Sequence, residues 1–91
     1  MEKINLSQTA ELMSSEDYKE RFIAEYAQVF IRAKRLERVL QSIRDNTCPK
    51  CFTPSCPVEV LEDQYKYMVY YCTILSRRAA IEEIELPEVE I

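Results

Sequence analysis

The chain of 91 residues contains no glycine and no histidine. Tight β-hairpin turns favour glycine because it adopts positive φ without strain, and neither Asn-Gly nor Asp-Gly occurs in the sequence. Histidine is the most frequent general base of enzymes, and a glycine-rich phosphate loop is missing together with the glycines. These absences exclude the common catalytic constellations. They predict an all-α protein that is not an enzyme and needs no cofactor.

Long apolar runs and an excess of basic residues are missing as well. The first stretch, MEKINLSQTAELM, has no basic segment followed by an apolar run, which a secretory signal would require. No apolar run approaches the roughly 20 residues of a membrane span. The formal net charge of −4 argues against binding to duplex nucleic acid. We therefore expect a single-domain cytosolic protein that binds neither a membrane nor a duplex.

A heptad-spaced run predicts a first long helix over residues 15–46. Ser14 or Ser15 is expected to cap it, because a serine side chain can accept a hydrogen bond from a free N–H of the first turn. Its apolar seam alternates spacings of four and three residues and consists of Phe22, Tyr26, Val29, Ala33, Leu36, Leu40 and Ile43.

A second run predicts a helix over residues 57–86, with Pro57 at its first position and Ser55 or Cys56 as its cap. Pro87 is expected to end it. The seam of this helix consists of Val58, Leu61, Tyr65, Met68, Cys72, Leu75 and Ala79. Two helices of similar length joined by a short loop predict an antiparallel hairpin.

The remaining segments are expected to be short. Residues 1–14 form an arm with one short helix, for which Ser7 is the expected cap and Leu6, Leu12 and Met13 the docking residues. Residues 47–56 form a loop rich in cysteine and proline, and residues 87–91 an acidic tail. The whole chain is then one helical-hairpin domain.

The second helix carries another apolar seam, rotated from the first. It consists of Val60, Gln64, Tyr67, Tyr71, Ile74, Arg78 and Ile81, and the first helix adds Ile23, Ala27 and Phe30 outside its own seam. A lone hairpin would expose these residues as a large patch, which monomers seldom tolerate. Either the N-terminal helix covers the patch, or copies of the chain associate through the second helix as a homo-oligomer. The size of the patch favours the homo-oligomer.

The loop motif NTCPKCFTPSCP has the opening spacing of a zinc site, with Cys48, Cys51 and Cys56. A closed site needs four ligands, and Cys72 lies roughly 24 Å further along the predicted helix. Completion by Glu59 or Asp45 remains the alternative.

The same loop is explained without metal by its prolines. Pro49, Pro54 and Pro57 stiffen a connection that reverses the chain without glycine, while Phe52 and Val58 fill the end of the hairpin next to this loop. This explanation is favoured, so we expect no metal site and no reactive thiol.

Cations and tyrosines occur together on the two helices, in the stretches IRAKRLER and QYKYMVYY. An antiparallel hairpin that turns near residue 51 places Arg32 at the level of Tyr70, and Arg35 at the level of Tyr67. Guanidinium groups bind phosphates and tyrosine rings stack on bases. The pattern indicates a pocket for a small phosphorylated ligand, with the candidate ligand-binding residues Arg32, Arg35, Gln64, Tyr67, Tyr71 and Arg78. The alternative is that these arginines are solvated and that the tyrosines form an oligomer interface.

The stretches DYKERFIAEYAQ, FTPSCPVEVLEDQYKYM and RRAAIEEIEL resemble small proteins encoded by phages and prophages, including relatives of a small crAss-like phage protein. This resemblance covers roughly residues 6–86. The LSQTAELM segment and a pattern on the second helix are similar, more weakly, to the helical hairpin of phage anti-CBASS and anti-Thoeris sponge proteins. That pattern consists of Leu61, Gln64, Met68, Tyr71, Leu75, Arg78 and Ala79.

The resemblance implies a phage counter-defence protein of the host cytoplasm. Sponge proteins form oligomers that sequester cyclic nucleotide immune signals without hydrolysing them, and the same role is expected of this chain. The alternative is an inhibitor that binds a host defence complex, in the manner of an anti-CRISPR protein, through its acidic faces and the exposed seam of the second helix. The net charge of −4 and the tail ELPEVEI motivate that alternative.

Overall fold

The structure is a computed structural model that describes residues 3–47 and 55–91. Its elements are α1 (Leu6–Leu12), α2 (Tyr18–Arg44) and α3 (Val58–Glu82), and the described residues contain no strand. The predicted all-α class is confirmed. Cys48, Cys51, Pro49, Pro54 and Phe52, on which the zinc and loop predictions depend, lie outside the described residues.

Helices α2 and α3 form the antiparallel hairpin in the predicted register. The Tyr65 hydroxyl donates to the carboxylate of Glu37, and these two residues are equally distant from residue 51. At the open end, the Tyr18 hydroxyl donates to Glu82 Oε1 over 2.9 Å. Contacts at both ends of the hairpin therefore agree on the alignment of the two helices.

The predicted caps of α1 and α2 are wrong, by two residues for Ser7 and by two or three for Ser15 and Ser14. Asp17 caps α2, because its carboxylate accepts from the backbone N–H of Lys19 at 2.9 Å, whereas the Ser15 hydroxyl accepts from the N–H of Asp17 itself. Asn5, and not Ser7, caps α1 through a reciprocal pair with Gln8. In both helices the side chain just outside the first turn has the better reach to the free N–H groups.

Both ends of α3 also differ from the expectation. Pro57 occupies the cap position and makes no side-chain hydrogen bond there, so neither Ser55 nor Cys56 caps the helix. The helix ends at Glu82, because Glu83 adopts a left-handed conformation with φ of 58°. Helix α3 therefore ends before Pro87, in a backbone conformation that glycine usually adopts.

Helix α2 lies between its two neighbours and buries two opposite faces. The predicted seam packs against α3, and all of its residues are buried or half-buried. Ala24, Ala27 and Ile31 are fully buried although they lie about 170° around the helix from that seam. Helix α1 packs against α2 and has no contact with α3. Small alanine side chains thus let α1 approach the back of α2.

Helix α1 docks through a residue that its amphipathic pattern did not single out. Thr9 is fully buried, and its hydroxyl donates to the Leu6 carbonyl at 2.6 Å, which satisfies the buried polar group. Leu6 and Leu12 are half-buried as expected, but Met13 is 46% exposed and the expectation for Met13 is wrong.

The C-terminal segment folds back over the open end of the hairpin. Ile84 is buried in one cluster with Phe22, Leu75 and Ala79. A single parallel bridge then joins Ile4 to Val89, with the Ile4 N–H donating to the Glu88 carbonyl at 2.9 Å. The acidic tail therefore ties the two ends of the chain together. Over the described ranges, no helix has the length and hydropathy of a bilayer span.

Candidate functional site

Four of the six predicted ligand-binding residues share one side of the hairpin. At about 100° per residue, Arg32 lies roughly 80° around α2 from the seam, and Gln64, Tyr71 and Arg78 lie on the flank of α3 that faces the same way. All four side chains are exposed. We call this set the arginine face.

The other two predicted residues lie elsewhere. Arg35 is about 140° around α2 from the seam, so it points away from α3 and towards the side on which α1 packs. Tyr67 is 67% exposed and turned towards the outer surface of α3. A ligand on the arginine face of a single protomer would therefore meet Arg32 but not Arg35.

Arg78 is engaged by its own chain. Its Nε lies 3.2 Å from Glu82 Oε2, its Nη2 donates to the Tyr18 hydroxyl, and its guanidinium carbon lies 5.0 Å from the centre of the Phe22 ring. The hydrogen bond to Glu82 raises the pKa of Arg78, and the same carboxylate raises the pKa of Tyr18. A ligand phosphate would have to compete with this carboxylate for Arg78. Because Arg78 on α3 contacts Tyr18 and Phe22 on α2, it also holds the two helices together at the open end of the hairpin.

The opposite side of the hairpin contains a cavity of about 260 Å³ that sequence reasoning missed. Aromatic rings and small polar groups line it: Tyr26, Phe30, Ala33, Lys34, Tyr65, Val69, Cys72, Thr73 and Ser76. Its volume is just under the ~300–1,000 Å³ of typical small-molecule pockets, which suits one ring rather than a whole dinucleotide. None of the six predicted residues lines it.

A column of three residues on α2 forms one wall of the cavity. The rings of Tyr26 and Phe30 have their centres 5.6 Å apart, and Lys34 Nζ lies 5.7 Å from the centre of the Phe30 ring. These residues recur every four positions, so they stack along one helix face. That spacing is visible in the sequence, where Phe30 stood out only as an apolar residue off the seam.

A polar contact closes the end of the cavity that is nearer the loop. Lys34 Nζ lies 3.7 Å from Glu37, which also accepts the hydrogen bond of Tyr65. That hydrogen bond, with the Lys34 charge as a smaller cause, lowers the pKa of Glu37, and the same bond raises the pKa of Tyr65. The rim therefore presents an ammonium group whose charge is already partly compensated.

The thiol in the cavity is not set up for nucleophilic attack. Burial raises the pKa of Cys72, which favours the neutral thiol. Burial likewise raises the pKa of Tyr26. The cavity offers stacking, hydroxyl hydrogen bonds and one cation, which is the chemistry of a binding site.

The outer surface of α3 is apolar and exposed. Tyr70 is 62% and Ile81 is 80% exposed, and neither α1 nor the C-terminal segment lies over them. We call this surface the outer band; it consists of the exposed residues Val60, Tyr67, Tyr70, Tyr71 and Ile81 and the half-buried Ile74. The N-terminal helix therefore covers the part of the predicted patch around Ala27 on α2 and leaves the second seam of α3 uncovered.

Comparison with known proteins gives one family. The model of the Sequestin family matches residues 16–81, which is more than half of the chain and includes all of α2 and nearly all of α3. No curated protein and no solved structure matches the chain. The family name denotes sequestration, which is a binding role and not a catalytic one.

Proposed function

The chain belongs to the Sequestin family, and we propose that it is a phage counter-defence protein that sequesters a small cyclic nucleotide-type immune signal in the host cytoplasm without converting it. The family match is the observation that carries this proposal, because it covers the helices on which the exposed arginine, glutamine and tyrosine side chains stand. The weaker resemblance to phage sponge hairpins points the same way.

The proposed ligand contacts follow from the chemistry of such signals. Cyclic nucleotides combine flat bases with phosphates that stay charged at neutral pH, so they need stacking surfaces and cations. On the arginine face, Arg32 is an exposed cation on the same side of the hairpin as the ring of Tyr71 and the amide of Gln64. Arg78 lies on the same face but is engaged by Glu82. Arg35 and Tyr67 join this site only where a second copy of the chain brings them to it.

The proposal includes self-association through α3. The outer band is a continuous apolar surface on an exposed helix, and monomeric proteins seldom leave such a patch uncovered. A ligand held between copies would reach cations of both, which a single hairpin separates on different faces.

Isothermal titration calorimetry with a panel of cyclic dinucleotides, cyclic trinucleotides and cyclic ADP-ribose isomers tests the proposal. We expect saturable binding of at least one compound, weakened tenfold or more by Arg32→Gln. Arg38→Gln is the matched control, since Arg38 is equally exposed but lies about 160° around α2 from the seam. Absence of binding across the whole panel would contradict the proposed function.

The cavity provides a second location to be tested in the same titrations. Among the residues that the structure describes, Lys34 is the one cation that lines the cavity, and Lys34→Gln removes it. Thr73→Val removes a hydroxyl and keeps the size of the side chain. Loss of affinity in these variants, with Arg32→Gln unaffected, would place the ligand in the cavity and not on the arginine face.

A protein-binding inhibitor of a host defence complex is the second candidate function. The outer band favours it, because an exposed aromatic helix face is also what a protein partner would cover. Two results together would favour the inhibitor over the sequestering protein. The wild-type chain would capture a host protein in stoichiometric amount and lose it on substitution of Tyr67 or Tyr70, and no compound of the panel would bind.

A further inference from the structure

We propose that α3 pairs with α3 of a second copy, antiparallel, about a two-fold axis that passes between Tyr70 and Tyr71. This inference rests on the proposed self-association and specifies its geometry. It is carried by two features of α3: the symmetric spacing of the apolar residues of its outer band, of which Ile74 is half-buried and the others are exposed, and the distribution of its charges.

The apolar residues of the outer band are symmetric about the middle of the helix. Val60, Tyr67, Ile74 and Ile81 recur every seven residues, and their midpoint falls between Tyr70 and Tyr71. Antiparallel pairing about that point places Val60 opposite Ile81 of the partner subunit, and Tyr67 opposite Ile74 of the partner subunit. A seven-residue repeat is the spacing that keeps one stripe of a helix against another helix.

Charge decides between antiparallel and parallel pairing. Asp63 and Arg77 are exposed beside the outer band and make no ion pair with any residue that the structure describes. About the proposed axis, Asp63 approaches Arg77 of the partner subunit, and the symmetry repeats this contact. Parallel pairing would instead place Asp63 beside Asp63 and Arg77 beside Arg77, which is repulsive. For this pair of charges, the antiparallel arrangement is attractive and the parallel one is repulsive.

The dimer would also bring the two arginine faces to the edge of the interface. Tyr71 belongs to both the outer band and the arginine face, and Gln64 lies beside it. Residues that a single hairpin leaves on a convex surface would then line a groove between two copies.

A charge-swap series measured by sedimentation velocity tests the dimer without any ligand. We expect the wild-type chain, whose mass is 10.8 kDa, to sediment as a dimer. Asp63→Arg or Arg77→Asp should each raise the dissociation constant about tenfold, because each replaces two attractive pairs by two repulsive ones. The double variant Asp63→Arg/Arg77→Asp should restore association to near the wild-type value.

Two control variants fix the interpretation. Glu62→Arg makes the same charge change at the neighbouring residue, which lies about 130° around α3 from the centre of the outer band, and should leave the dissociation constant unchanged. A monomeric wild type, or a double variant that associates no better than the single ones, would overturn the proposed geometry. Binding of a cyclic nucleotide by such a monomer would leave the proposed function standing, so the two proposals fail separately.

Discussion

At the scale of single residues, the hydrogen bond between Tyr65 and Glu37 links the pH dependence of stability to the register of the hairpin. It joins α3 to α2 near the loop, and it lowers the pKa of Glu37 while it raises the pKa of Tyr65. A carboxylate with a lowered pKa stabilises the fold above its ordinary value of 4.5, and this contribution is lost as the pH falls through the lower folded value. A phenol with a raised pKa stabilises the fold below 10.0, and this contribution is lost as the pH rises through the higher folded value.

We therefore expect Tyr65→Phe to lower the free energy of unfolding at intermediate pH. The free energy of unfolding of this variant should then fall less steeply towards acid pH and towards alkaline pH. Urea unfolding followed by circular dichroism from acid to alkaline pH measures this. Tyr70→Phe is the matched control, because the Tyr70 hydroxyl makes no hydrogen bond with the described residues. If Tyr65→Phe and the wild type lose stability in parallel as the pH falls, the contact does not stabilise the fold.

At the scale of elements, the helix ends show what a chain without glycine must do. Asn46 and Glu83 have φ of 57° and 58°, one after each long helix. Asparagine tolerates the left-handed region, whereas glutamate in that region carries a cost of about 1–2 kcal/mol from its Cβ.

We expect Glu83→Gly to raise the free energy of unfolding by up to about 1 kcal/mol, because the relief of this strain exceeds the extra entropy that glycine loses on folding. Asn46→Gly should change the free energy of unfolding by no more than a few tenths of a kcal/mol, because asparagine already tolerates the left-handed region and little strain is relieved. Thermal unfolding of both variants at one protein concentration measures the difference. A Glu83→Gly variant less stable than the wild type would show that the end of α3 is not strained.

Docking of α1 depends on the small side chains at the back of α2. Ala27 is fully buried there, so Ala27→Leu should overpack the interface and cost about 1–3 kcal/mol. Ala80→Leu, at an exposed position of α3, should be nearly neutral. Hydrogen exchange is expected to speed up in α1 of the Ala27→Leu variant and to stay slow in the hairpin. Unchanged protection of α1 would mean that it packs elsewhere.

The sequence predicted those elements whose buried faces carry large apolar side chains. The seams from Phe22 to Ile43 and from Val58 to Ala79 are buried or half-buried throughout, because each spacing reflects one long partner helix. The sequence predicted Ala27 as an apolar residue outside the seam of α2, but Ala24 and Ile31, which share its buried face, were not singled out. The caps were misplaced because several residues before α2 can each accept a backbone hydrogen bond, and only geometry selects Asp17.

At the scale of the whole molecule, the described residues form a layer of three helices in which α2 lies between α1 and α3. This arrangement covers the back of α2 and leaves the outer band of α3 exposed. The sequence predicted the register of the hairpin and hence the level of Arg32. Arg35 was placed by its level alone, although its position about 140° around α2 from the seam turns it away from α3. The cavity was missed because it arises only where Thr73 and Ser76 leave space opposite Phe30.

The central claim is that the protein sequesters a cyclic nucleotide-type signal without converting it. The most direct measurement incubates the chain with each compound of the calorimetry panel and removes unbound compound by filtration. The complex is then denatured with heat, and the released molecule is identified by mass spectrometry. The account predicts that at least one compound disappears from the filtrate in proportion to the protein and is released chemically unchanged. Full recovery of every compound in the filtrate, or release of a cleaved product, would contradict it.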